Sequence, residues 1–339
     1  MTEAAPLRPQ HPAIEDTRQA ARWRPETITT VATFALSILL VLGSRFVSPA
    51  LGSWDQAYTV VTLASFLIVV AFGQGLVILL GGLDLSVASL ITLSAVLATT
   101  WVGGENTGAV YLLPAILLLC ALIGGISGVG ITLLGVPPFI MTMATGIVVA
   151  SAALGYTSGT PRGASPTVLV GLMKSTVGGV PVLLVFVVVL AILAAVVQSG
   201  TAFGRKLYAI GASARAAYVA GVPVTAMTIG AYMVSAASAG LAGLMLAGYS
   251  DGATLRMGDS YLLPSIAAVV VGGSSILGGS GSFAATVGGA ILLTTLSTVI
   301  AALGIGQGWR TVIEGSIILI ALLLLRENTF ARLRRLSMR

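Results

Sequence analysis

Long apolar stretches, separated by short polar or glycine-rich ones, recur from about residue 28 almost to the C-terminus. Ten of them are free of charge or nearly so, 309–325 alone holding two charges, Arg310 and Glu314: 28–47, 58–80, 86–102, 111–134, 139–157, 180–198, 226–248, 261–279, 282–303 and 309–325. A helix rising about 1.5 Å per residue needs roughly 20 residues to cross some 30 Å of hydrocarbon. The pattern predicts an all-α polytopic membrane protein with about ten transmembrane helices in one domain, 27–325. Alternation of period two is absent, which argues against a transmembrane barrel. Composition agrees, with 56% hydrophobic residues, 8% charged and a mean hydropathy of +1.03.

Charge sets the orientation, because short cytoplasmic loops collect Lys and Arg. With the N-terminus inside, ten spans put both termini and the 199–224 loop in the cytoplasm, with 12 of the 17 basic residues. Arg45, Arg162, Lys174, Arg256 and Arg310 fall outside. Nine or eleven spans would leave one basic terminus on the wrong side. The net charge of +6 then describes orientation and calls for no nucleic-acid partner. Residues 1–26 are polar and hold four prolines, so they read as a disordered cytoplasmic tail, and 326–339 read as a basic one. The first span lies far from the start and has no small-residue cleavage pattern, so it reads as an anchor.

Most chemistry is excluded by what is missing. The single histidine, His11, sits in the tail, which rules out a Ser-His-Asp or Cys-His site and a His-rich zinc site. Cys120 is alone and mid-span, so neither a disulfide nor a thiolate cage can form within the chain. Neither lysine, Lys174 or Lys206, follows the spacing of a phosphate-cradling loop. If transport is ATP-driven, ATP is bound by another polypeptide and this chain carries no cofactor. A proton- or sodium-coupled carrier keeps ionisable groups deep in the bilayer. Here the candidates are Asp84 and the Arg310–Glu314 spacing, which also fits a simple i, i+4 pair.

Small residues suit close helix packing in lipid, as at Gly124 and Gly128, and at Ser235, Ala239, Gly243 and Ala247. Glycine pairs interrupt the apolar pattern at 81–82, 272–273 and 278–279, where freed backbone groups must meet water or protein. The segments LGGLDLSVAS (80–89) and LGGSGSFAAT (277–286) look alike, either by chance or as an internal repeat. Asp84 and Ser86 fit a helix cap. They also fit a hinge or polar patch on a translocation path.

These residues resemble a family. GGLDLSVAS (81–89), VPPFIMTMATG (136–146), GRKLYAIGASARAAYVAGV (204–222) and VVGGSSILGGSGSFAATVGGAIL (270–292) are similar, in order, to segments of permease subunits of ribose-, xylose- and galactose-type ABC importers. The resemblance spans roughly residues 30–325. It implies path or hinge candidates at Gly81, Gly82, Asp84, Ser86, Phe139 and Thr142. It also implies an ATPase-docking loop over 199–224 with Gly204, Arg205, Lys206, Gly211, Arg215, Ala216, Ala217 and Gly221. Residues 215–221 match the register in which such permeases seat a short helix in the ATPase, except that Arg215 stands where Glu is usual. Ala212 and Ser213 stand where Gly-Asn is frequent.

From the residues alone, the loop is either an interaction site or a positive-inside anchor, and its middle, Ala209 to Val219, is predicted to form one short surface helix. The resemblance implies a permease for a monosaccharide or related polyol in a bacterial inner membrane. Its partners would be cytoplasmic ATPase subunits, a periplasmic or extracellular sugar-binding protein, a second permease chain or copy of itself, and membrane lipid. Alternatives are a branched-chain amino acid-type permease and a stand-alone secondary transporter or channel.

Overall fold

The computed structural model describes residues 25–46, 52–106, 108–306 and 308–319, less 314, 317 and 318. The predicted tails up to residue 24 and from 326, together with Glu314 and the end of the tenth predicted span, lie outside the described residues. Helices dominate: α1 (Pro25–Ser44), α2 (Trp54–Leu79), α3 (Val87–Leu97), which continues into a π-helical turn (Ala98–Val102), α4 (Ala109–Thr132) and α5 (Pro138–Tyr156). A short helix, α6 (Thr167–Lys174), leads into a hairpin of two two-residue strands, β1 (Thr176–Val177) and β2 (Val180–Pro181). Then come α7 (Val182–Gly200), α8 (Ala202–Ala212), α9 (Ala214–Val219), α10 (Val224–Ser250), α11 (Asp259–Val271) and α12 (Phe283–Ala302).

Six of these helices, α2, α4, α5, α7, α10 and α12, are long and apolar enough to cross a membrane, while the apolar stretches 29–44, 87–102 and 259–271 are shorter. The chain is a helical, multi-pass membrane protein. The predicted boundaries fall within a few residues of the observed ones, with one correction. The stretch predicted to run helical over 261–279 ends at Val271, because Gly272 packs on the α12 backbone and Gly273, Gly278 and Gly279 adopt positive φ. Residues 272–282 are an irregular loop instead.

Two helices occupy the centre. α2 is the most buried of the six long helices, and α10 packs on α2, α3 and α4 at once. Both small-residue faces serve this packing. A Cβ at Gly124 would lie 2.3 Å from the Tyr232 carbonyl oxygen, and one at Gly243 would lie 2.2 Å from that of Ile91. Backbones approach this closely only where side chains are absent, and contact then supplies the attraction that lipid does not. Gly128 on Ile229 and Gly240 on Cys120 make α4 and α10 antiparallel. The outer helices α4, α5 and α7 leave most of their surface uncovered.

The ends of α2 and α7 and the start of α10 share one side of the bundle. There α8 and α9 lie across it, held by a cluster of Leu76 and Leu79 with Leu207, Ile210, Ala217, Met227 and Ala231.

Candidate functional site

The first glycine break turns α2 into an extended segment. Gly81 (φ 81°) and Gly82 bond back to Ile78 and Val77, and the chain then runs non-helically to Ser86. Its polar groups are met by two neighbouring helices. Asp84 accepts from the Ser86 amide (3.0 Å) and hydroxyl (2.6 Å) through one oxygen and from the Ser235 hydroxyl of α10 (2.8 Å) through the other. Thr142 of α5 accepts from the Leu85 amide (3.1 Å) and donates to the Pro138 carbonyl (2.9 Å).

Asp84, Ser86 and Thr142 are fully buried. The structure therefore brings these three candidates together as a clamp on the extended segment. The cap fit is only local: Asp84 reaches the amide two residues on, while Ser86, at the cap position of α3, makes no side-chain cap bond. Phe139 stands apart, half-exposed on α5. Beside the break, the Tyr232 hydroxyl abuts Gly82, where a Cβ would come within 2.5 Å. That hydroxyl and the Gln74 amide are buried without partners among the described residues. Buried polar groups without partners are costly, and Gln56 Nε2 and Ser165 Oγ are in the same position elsewhere in the bundle.

The second break folds against the first. The Gly279 amide donates to the Leu79 carbonyl (2.9 Å), and Gly278 packs on the Gly81 backbone. The two look-alike segments thus meet, and α8 sits on both. A Cβ at Gly211 would fall 1.9 Å from the Leu79 oxygen and 2.4 Å from the Gly279 nitrogen. Tyr208 donates to the Gly281 carbonyl (2.6 Å), and the Gln198 side chain accepts from the Phe283 amide (2.6 Å). No local pattern in the sequence pairs Tyr208, Gln198 or Ser235 with its partner, because those partners lie 73 to 151 residues away.

The loop itself differs from the single helix predicted over Ala209–Val219. It breaks at Ser213, whose hydroxyl caps α9 by accepting from the Ala216 amide (3.2 Å). Thr201 caps α8 in the same way, and Gly204 is pressed against the Gln198 carbonyl in the tight turn from α7. Gly221 (φ 80°) closes the end of α9, with Val222 bonding back to Ala217. Arg205, Lys206, Arg215 and Ala216 are exposed. Ala217, expected beside Ala216 on the docking face, is instead buried against its own chain. Tyr218 and Val219, 73% and 80% exposed, present the apolar surface there.

No group of His, Cys, Asp and Glu among the described residues could hold a metal ion. What the site offers is a broken, hydrogen-bonded core under an exposed loop.

Over residues 56–322 the chain matches the family described as branched-chain amino acid transport system, permease component. It belongs to this permease family. Similar relatives include a probable ABC transporter permease protein of Sinorhizobium fredii, 33% identical over 91% of each chain. The ribose import permease protein of Bacillus subtilis is 36% identical over 77% of this chain and 81% of its own, and the galactose/methyl galactoside import permease protein of Salmonella typhimurium is 32% identical over 85% and 91%. No solved structure matches. As a member of this family the chain is a transport component rather than an enzyme.

Proposed function

We propose that this chain is the translocating permease of an ATP-driven importer for a monosaccharide or related polyol in a bacterial inner membrane. The observation that carries the reading is the seat of α8 on both glycine breaks, which ties an exposed loop to the interior of the bundle. In this reading a cytoplasmic ATPase grips Arg215, Ala216, Tyr218 and Val219. Tilting of α9 moves α8 and, through Gly211 and Tyr208, shifts the two breaks together. The Asp84 and Thr142 clamps then hold one of two arrangements of the extended segment, a two-state element biased from outside the bilayer.

A second permease chain or copy, and a binding protein that delivers solute on the opposite side, complete the assembly. The match of the ribose and galactose import permeases along most of the chain favours a sugar over a branched-chain amino acid. A stand-alone ion-coupled carrier has less support, since Asp84 is the one charged side chain buried among the described residues.

Replacing exposed Ala216 by Trp tests the coupling. The expected outcome is normal membrane insertion with loss of ATPase retention in a pull-down and loss of solute-stimulated ATP hydrolysis. Unchanged ATPase retention and uptake would sink the docking role.

A further inference from the structure

A cleft of about 590 Å³ opens between α3, α5 and the 255–262 turn that begins α11. That volume lies within the roughly 300–1,000 Å³ range of small-molecule sites. Leu85, whose amide is held by Thr142, lines the cleft, so the clamped segment forms part of its wall. Its polar lining is Ser89, Thr92, Ser151 and the ion pair of Arg256 and Asp259, with Nε and Oδ2 2.7 Å apart and side chains 85% and 47% exposed. Arg256 holds a positive φ of 67°.

The depth of that ion pair decides what the cleft faces. α11 reaches the α8 side at Gly272, which packs on Ala285 and Thr286 one turn into α12. Its 13 residues climb only about 20 Å from there. Against a hydrocarbon layer of roughly 30 Å, its first turn stops about 10 Å short of the opposite surface. The Gly258 amide, bonded to Thr92 of α3 at 3.1 Å, pins it at that level. Charged side chains at such depth face water or protein, because lipid contact leaves them unsolvated.

From this we infer that the cleft is a water-filled stretch of the solute path, in which Arg256, Asp259 and Ser151 take the hydroxyl groups of a neutral polyhydroxylated solute on the side opposite α8. The inference rests on the importer reading for its solute and on the geometry alone for its water. Arg256 and Asp259 neutralise one another, which leaves spare N–H donors beside a carboxylate oxygen. A vicinal diol can both accept from the one and donate to the other.

Thiol labelling separates the two parts. The native Cys120 is buried, so Ser151→Cys and, independently, Ala150→Cys each carry the one accessible thiol among the described residues. In cells holding the complete transporter, a membrane-impermeant cationic methanethiosulfonate added outside is expected to modify both far faster than Leu193→Cys on the outer face of α7. Modification is expected to block uptake, and D-ribose or D-galactose supplied with the binding protein is expected to slow it. Asp259→Asn is expected to reduce uptake about tenfold or more at equal membrane abundance, with Ser151→Cys labelling unchanged.

Labelling no faster than at Leu193→Cys means a lipid-facing groove and overturns the proposal. An inter-chain disulfide at Ser151→Cys without labelling means that a second copy fills the cleft, which overturns it equally. Fast labelling with uptake of neither sugar upholds the aqueous cleft and refutes the sugar reading.

Discussion

Asp84 shows how much one side chain can organise. Three donors, two from Ser86 and one from Ser235 of α10, converge on its carboxylate. Asp84→Asn keeps an oxygen for Ser86, and the Ser235 hydroxyl can turn to accept from the new amide, so uptake and thermal stability are expected to change little. Asp84→Ala strands the Ser86 amide inside the bundle, at a cost of about 1–3 kcal/mol for that group alone. Melting of the detergent-purified protein and uptake at matched abundance measure both. If Asn abolishes uptake while stability holds, the carboxylate charge acts on the path itself. The residue type and its place after Gly81–Gly82 were legible in the sequence. Ser235 as its partner was not, because nothing in a local pattern encodes a contact made 151 residues away.

Among the elements, glycine decides which helices can touch. Gly243 and Gly230 both lie in α10, yet a Cβ at Gly243 would meet Ser94 Oγ at 2.0 Å and the Ile91 carbonyl at 2.2 Å, whereas Gly230 has nothing within 4 Å. Gly243→Val is expected to push α3 from α10 and to destabilise by about 1–3 kcal/mol or more, as overpacking does. Gly230→Ala is expected to be neutral. Comparative thermal unfolding in one detergent checks the pair, and equal melting of the two variants would contradict the packing assigned to α10. The four-residue spacing of small residues announced helix packing in advance. It did not say that α4 would use one face of α10 while α2 and α3 used another, since the crossing partners are chosen by the whole bundle.

For the whole molecule, the consequence is a direction. α8 and α9 share a side with the ends of α2 and α7 and the start of α10, and the charge asymmetry of the sequence predicts that this side faces the cytoplasm. With Cys120 buried, Tyr218→Cys is expected to react with an impermeant thiol reagent only after the membrane is opened, and Thr160→Cys in intact cells. The reverse pattern would invert the molecule and remove α9 from any cytoplasmic partner.

Hydropathy alone determined that this chain lives in a membrane as helices, and nearly where α1 to α5, α7, α10 and α12 start and stop, because desolvation of the backbone acts residue by residue along the chain. The scarcity of histidine, lysine and cysteine likewise narrowed the chemistry without any structure. Only the tertiary structure decided that 272–282 leaves the helix to lie on the first glycine break, that Ala217 turns inward while Tyr218 and Val219 turn out, and that Arg256 reaches a cleft wall shared with α3 and α5. Those outcomes depend on which segments pack together. Contacts between residues 79 and 279, or 84 and 235, are settled by the shapes of several helices at once, and local periodicity carries no trace of them.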